Sequence, residues 1–117
     1  MAAGVPRSKL LHGSDLVGTT LWPDGIVVFR PNGPGTVLPD GSLQMKFLWI
    51  KEERPLTISG RRLDGDARPL RVQLAPGYEY KRLQPSDLIF PTPGCWEVTA
   101  RVRNWQLILV TRVRSDY

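Results

Sequence analysis

The segment from residue 95 to residue 113, CWEVTARVRNWQLILVTRV, decides the fold class. It contains two alternating runs, 95–103 and 105–113, which can fold against each other about Arg103-Asn104. One face of that hairpin would carry Trp96, Val98, Ala100 and Val102 beside Trp105, Leu107, Leu109 and Thr111. Because successive side chains of a strand point to opposite faces, a slip by one residue would mix the polar and apolar sets. The segment predicts a tight hairpin; a longer loop with shifted register is the alternative, since Arg-Asn is not a favoured two-residue turn.

The rest of the chain contains further short alternating runs. In Leu43 to Lys51, one face carries Leu43, Met45, Phe47 and Trp49. Leu48 and Ile50 are apolar on the other face, which predicts that a loop covers this strand or that it lies near the middle of its sheet. Shorter runs occur at 26–30, 56–60, 70–74 and 88–90, with a hairpin-type turn predicted over 61–69.

The spacing of these runs predicts the architecture. Seven or so strands about ten residues apart, separated by turns rich in Gly and Pro, are typical of an all-β, immunoglobulin-like antiparallel β-sandwich. A small β-barrel is the alternative. A chain of 117 residues that is 41% hydrophobic supplies one core. We therefore predict an N-terminal arm or edge strand over 1–17 and a single β-sandwich domain over 18–117.

Membrane and secretion signals are not found in this sequence. No stretch approaches the ~18 apolar residues that cross a bilayer, and Met1 to Leu11 lacks the apolar core of a signal peptide. We expect no membrane span.

The basic excess is modest. Sixteen Lys and Arg against eleven Asp and Glu give a net charge of +5, and the acids are interspersed among the bases. Such a pattern favours a solvated mixed surface and makes nucleic acid an unfavoured partner. The alternative is a basic nucleic-acid-binding small β domain, with Trp105 or Tyr80 stacking on bases. Its phosphate contacts would be Arg61, Arg62, Arg101, Arg103, Arg112 and Arg114.

Catalytic and metal-binding patterns are weak. His12 and Cys95 are the only residues of their types, and pairing them would require the N-terminal arm to reach a core strand. Asp24 and Asp40 stand in Pro-Asp-Gly turns, where aspartate is a usual turn residue, so their presence requires no catalytic role. Asp64-Gly65-Asp66 offers too few spaced oxygens for a calcium loop. The sequence predicts no enzyme, no metal site and no cofactor.

Aromatic residues at turns favour a binding function. Tyr and Trp make rigid, half-polar contact surfaces. Trp49 and Trp96 fall on predicted core faces, whereas four others fall at turns. These four are the candidate ligand-binding residues: Trp22, Tyr78, Tyr80 and Trp105. The alternative is that they cap the ends of the sandwich. We predict a non-enzymatic interaction or structural module whose partner is a protein or a cell-envelope glycan.

A family resemblance adds to this interpretation. Pro93-Gly94-Cys95-Trp96-Glu97-Val98-Thr99 resembles the Pro-Gly-x-aromatic-x-Val-Thr step of bacterial immunoglobulin-like modules. With Trp22-Pro23-Asp24-Gly25 and Leu38-Pro39-Asp40-Gly41-Ser42, the region from Leu11 to Val113 resembles uncharacterised exported or lipid-anchored bacterial proteins. That resemblance implies the fold and an exported or cell-envelope location, and assigns no functional residues. The chain departs from it at Glu79-Tyr80 and at Arg103-Asn104-Trp105.

Overall fold

The computed structural model describes residues 16–18, 26–33, 35–103 and 105–117, with the backbone alone at 16–18 and 105. His12, Trp22 and the turn at 22–25 therefore lie outside the described residues. Within these ranges the chain forms nine strands and no helix. The strands are β1 Leu16–Gly18, β2 Ile26–Phe29, β3 Thr36–Val37, β4 Leu43–Lys51, β5 Thr57–Arg62, β6 Arg71–Leu74, β7 Leu83–Phe90, β8 Gly94–Val102 and β9 Trp105–Ser115.

The strands form two sheets. The first, called the β4 sheet here, has the order β1-β4-β7-β6, with the short β3 also paired to β4; the second, the β8 sheet, has the order β2-β9-β8-β5. Every ladder is antiparallel except β2 with β9, which is parallel. The predicted all-β sandwich is confirmed, with the parallel pair as an addition. Because no described ladder joins the two sheets, the barrel alternative is wrong.

The β8–β9 hairpin has the register that the alternation predicts. Val102 pairs with Trp105, Val98 with Leu109, and Trp96 with Thr111. The turn is tight, because only two residues separate the paired Val102 and Trp105. All of the predicted inner-face side chains that the structure describes are buried. The longer-loop alternative is wrong.

The φ of Arg103 is +54°. This value lies in the left-handed region, which two-residue hairpin turns use because it matches the twist of the flanking strands. A non-glycine residue therefore occupies a turn position where Gly or Asn is usual, which is why the sequence favoured this turn only weakly.

Strand β7 is longer than the sequence predicted. It begins at Leu83, five residues before Leu88, and it contains Pro85. The carbonyl of Pro85 accepts a hydrogen bond from the N–H of Ala75, just beyond the end of β6. The nitrogen and carbonyl of one strand residue point to the same side, so the missing N–H of Pro85 faces the place where β6 has already ended. The Ala75 carbonyl, which an N–H at position 85 would reach, accepts a hydrogen bond from Gln84 Nε2 at 2.9 Å instead.

The hairpin predicted over 61–69 is wrong. Strand β5 pairs with β8 and strand β6 pairs with β7, so the two lie in different sheets. One backbone bond, from Leu70 N–H to the carbonyl of Gly60, joins the end of this connection to β5. The two runs share the alternation of half-buried strands, and alternation does not specify which strand is the partner.

The core lies between the sheets and contains both predicted core tryptophans. Trp49 and Trp96 are 0% exposed. The indole N–H of Trp49 donates to Ser86 Oγ at 3.0 Å, and that of Trp96 donates to the carbonyl of Thr92 at 3.0 Å. Trp96 also packs edge-on against Phe90, with ring centroids 5.6 Å apart. Each large ring is thus buried with its one polar group satisfied.

A charged corner closes the start of β8. One carboxylate oxygen of Asp64, Oδ1, accepts hydrogen bonds from the N–H of Cys95 and from Arg62 Nε, both at 2.9 Å. The Cys95 N–H, followed by the Arg62 guanidinium, lowers the pKa of the Asp64 carboxyl below its usual value. Gly94 lies against this corner with a φ of +140°. A Cβ there would stand 2.4 Å from Arg62 Nε.

We predict that Gly94→Ala destabilises the fold by about 2–3 kcal/mol, because it adds a clash with Arg62 to an unfavourable φ. The matched control is Gly77→Ala. Gly77 has a φ of +90° but a Cβ there meets nothing within 4 Å, so we expect a loss of about 1 kcal/mol. Urea unfolding of both variants measures the difference. Equal losses would show that the Arg62–Asp64 corner does not restrict position 94.

Candidate binding site at the loop end

Three loops lie at one end of the sandwich, which we call the loop end: residues 52–56, residues 75–82 and the β8–β9 turn at Arg103. The register brings the last residues of β4 beside the first of β7, where Ile50 pairs with Leu83. In the other sheet, Thr57 pairs with Arg101 at the corresponding end of β5 and β8. The connections β4–β5, β6–β7 and β8–β9 therefore leave the two sheets on the same side.

The side chain of Lys51 joins two of these loops. Lys51 is the last residue of β4, lies on its inner face and is 2% exposed. Its Nζ donates to the carbonyls of Arg54 at 2.8 Å, Glu79 at 3.1 Å and Lys81 at 2.7 Å, with a longer bond of 3.4 Å to Glu52. One ammonium group thus holds four backbone carbonyls from the 52–56 and 75–82 loops.

Burial lowers the pKa of the Lys51 ammonium below its usual value, because desolvation disfavours the charged form. The carboxylates of Glu79, Glu52 and Glu53 act in the opposite direction. The four carbonyls are acceptors, so they bond well to an ammonium group and would lose those bonds to an apolar side chain. Lys51 is therefore a buried cation whose polar partners all come from loops.

The third loop is linked by an ion pair. Arg103, at the β8–β9 turn, places Nη1 3.9 Å from Glu52 Oε2. The Arg103 side chain is 58% exposed, so this pair is worth little on its own. Its geometric consequence is that the hairpin turn lies against the same loop that Lys51 holds.

The structure places three of the four predicted ligand-binding residues at the loop end. Tyr78 is half-buried and Tyr80 is 68% exposed, both in the 75–82 loop. The backbone of Trp105 begins β9 directly after the turn. Trp22 lies outside the described residues. The loop end thus brings Tyr78, Tyr80 and the backbone of Trp105 to one side of the domain, with Tyr80 as its most exposed described aromatic.

Sequence reasoning missed Lys51. The alternation of β4 could have indicated that Lys51 is buried, because Lys51 is the fifth residue of the inward-facing series that begins at Leu43 and continues at every second residue. Lysine is rarely buried, so composition argues for an exposed position. The carbonyls that hold it come from loops distant in sequence, and no local pattern predicts them.

The arginines of the nucleic-acid alternative are mostly engaged with neighbours. Four form ion pairs, and Arg101 Nε donates to Gln106 Oε1 at 2.7 Å. The ion pairs are Arg61–Glu97, Arg62–Asp64, Arg103–Glu52 and Arg114–Asp116. Within the described residues only Arg112 of the six has no polar partner. This arrangement resembles a mixed charged surface more than a row of phosphate contacts.

Other polar groups at turns have structural partners. Asp40 accepts from the backbone N–H of Ser42 at 3.0 Å and from its hydroxyl, and Gly41 N–H bonds to the carbonyl of Leu38. The Ser42 hydroxyl and N–H lower the pKa of Asp40. The interpretation of Asp40 as a turn residue is confirmed. Among the residues that the structure covers, no three His, Cys, Asp or Glu side chains group as a metal site, and no helix could span a membrane.

Comparison with known proteins adds no relative. The chain matches no protein-family model, no curated protein and no solved structure. The resemblance to exported bacterial proteins and the exported location therefore stay predictions.

We predict that Lys51→Met destabilises the protein by about 2–4 kcal/mol, since it leaves carbonyls of two loops without their donor. Chemical unfolding measures the loss, and amide hydrogen exchange should become faster in residues 52–54 and 79–81 before it changes in β8. The control is Lys81→Met, which removes an exposed lysine side chain from one of the loops that Lys51 holds and should change stability by less than about 0.5 kcal/mol. If both variants have the same stability, Lys51 does not hold the loops.

Proposed function

We propose that this chain is a non-enzymatic interaction module of immunoglobulin-like type, which binds a protein or a glycan of the cell envelope through its loop end. The observation that carries the proposal is the Lys51 ammonium group, which fixes two loops by four backbone contacts. Fixing loops before binding lowers the entropy that association costs. Burying a charged group costs free energy unless its hydrogen bonds are made within the protein. The buried Lys51 ammonium group therefore favours a functional role for the loop end.

The strand order supports the immunoglobulin-like part of the proposal. The β4 sheet follows the order A-B-E-D of an immunoglobulin domain, and β9, β8 and β5 follow the order G-F-C. In that correspondence, residues 52–56 are the B–C loop and the β8–β9 turn is the F–G loop. These two loops belong to the binding end of immunoglobulin variable domains.

The side chains at the loop end support binding of a polar macromolecule. Tyr80 is 68% exposed and stands between Glu79 and Lys81, which are exposed as well. An exposed tyrosine gives a flat apolar surface with a hydroxyl at its edge, which suits both protein contacts and sugar rings. The neighbouring charges of Glu79 and Lys81 are of opposite sign, so they contribute to the specificity of ligand binding more than to strong electrostatic attraction of the ligand.

The reactive side chains that the structure describes have structural roles. Cys95 is buried, and the carboxylates of Asp40 and Asp64 are occupied by turn and corner hydrogen bonds. We propose no catalytic residue, metal or cofactor. The exported location rests on the sequence resemblance alone.

The test compares Tyr80→Ser with Tyr117→Ser. Tyr117 is 65% exposed and follows the end of β9, away from the loop end, so the two changes are matched in type and exposure. The labelled protein is screened for binding on glycan arrays and by cross-linking to cell-envelope extracts. We expect a specific ligand whose affinity falls about tenfold or more in Tyr80→Ser and stays unchanged in Tyr117→Ser.

Two results would contradict the proposal. One is a ligand that both variants bind as well as the wild type, because the loop end would then not be the site. The other is turnover of a substrate by the purified domain. Binding of oligonucleotides, measured at low salt and again at physiological salt, tests the alternative function. Affinity that falls steeply as the salt concentration rises would favour nucleic acid as the ligand instead.

A further inference from the structure

The outer face of the β4 sheet has an apolar half near the loop end. Leu48 pairs with Pro85, and Ile50 pairs with Leu83, across β4 and β7. Leu48, Ile50 and Leu83 are 36%, 40% and 38% exposed. The sequence predicted that outer apolar residues on β4 would mean a covering loop or a central strand. The strand is central, between β1 and β7, and these side chains are still exposed.

A polar pair borders this apolar half. Lys46 and Asp87 stand directly opposite each other across β4 and β7, one step before Leu48 and Pro85. Opposed side chains on neighbouring strands lie close enough to interact. Nevertheless, neither side chain has an ion-pair or hydrogen-bond partner among the described residues, and Asp87 Oδ1 is buried. The face therefore holds one unused cation beside one unused anion.

A groove of about 590 Å³ lies across the same region. Its apolar wall is formed by Leu48, Leu74, Pro76 and Pro85, and Lys46 and Asp87 lie at its polar end. An open apolar groove on a sheet face costs free energy in water and gains it when another apolar surface fills it.

We propose that this face associates with the same face of a second copy of the chain. The argument is the register. A two-fold axis that runs parallel to the strands, midway between β4 and β7, exchanges the two strands. It would set Lys46 against the partner's Asp87, Leu48 against the partner's Pro85, and Ile50 against the partner's Leu83. The rotation thus places each residue of a cross-strand pair opposite the other member of that pair in the second copy. A symmetric interface requires such self-complementary surfaces.

The size of the face is in the range of weak, transient interfaces. Aligned packing of two sheet faces is a common arrangement, with strand directions within about 30°. Four strands about 4.8 Å apart and a nine-residue β4 give a face roughly 15–20 Å by 30 Å. This is smaller than the ~800 Å² per partner of a standard interface, so we expect a weak dimer with a Kd in the micromolar range.

The decisive experiment is charge reversal followed by sedimentation equilibrium at physiological salt. By symmetry, Lys46→Glu turns two attractive pairs into two repulsive ones, and Asp87→Lys does the same. We expect each single variant to raise the dimer Kd by about tenfold or more, and the double variant K46E/D87K to restore it. Because Lys46 and Asp87 also face each other within one chain, the double variant alone does not show that they meet across the interface. An equimolar mixture of the K46E and D87K variants does, since each chain keeps its internal repulsion while both pairs between the copies become attractive, and we expect this mixture to form heterodimers with the wild-type Kd.

A second comparison tests the apolar half. Ile50→Ser should weaken the dimer, whereas Ile108→Ser should not, because Ile108 is 39% exposed on the outer face of the other sheet. Circular dichroism checks that both variants fold. The proposal is overturned by a wild type that stays monomeric to several hundred micromolar, by a dimer that Ile50→Ser does not weaken, or by a double variant that stays as weak as the singles. Tyr80→Ser should dimerise normally, so failure here leaves the loop-end proposal intact.

Discussion

The two-residue period of β4 places Leu43, Met45, Phe47, Trp49 and Lys51 on the inner face of one strand. The first four fill the core, and the fifth reaches the end of the sandwich, where the core gives way to loops. A slip of one residue would expose Trp49 and move the Lys51 ammonium group to the outside. The core and the ordered loops are therefore set by the same register, so the loop end cannot be arranged independently of the core.

The predictable parts of this fold are those in which local alternation has a single interpretation. The β8–β9 hairpin and β4 follow from alternating apolar residues alone. The start of β7 was missed because Pro85 argues against a strand, and the structure accommodates it where the neighbouring strand has ended. The β5–β6 hairpin was wrongly predicted because pairing between distant strands leaves no local pattern.

The candidate site divides in the same way. Turn chemistry was enough to select Tyr78 and Tyr80, and the structure places both at the loop end. Lys51 and the Arg103–Glu52 pair depend on contacts between residues far apart in sequence. Exposure could not be derived from the sequence either: Leu48 and Ile50 were expected to be covered by a loop or to lie on a central strand, and in the structure they lie on a central strand and are exposed.

The placement of the lysines has a practical consequence for handling the protein. Lys51 is the buried one among the described lysines, and its amine is occupied by four acceptors, so acylating reagents will not reach it in the folded state. Lys46 and Lys81 are exposed, but each belongs to one of the two proposed contact surfaces. Random amine coupling to a sensor chip would therefore obstruct the two proposed contact surfaces. Attachment through the C-terminal end, beyond β9, leaves both surfaces open to solution.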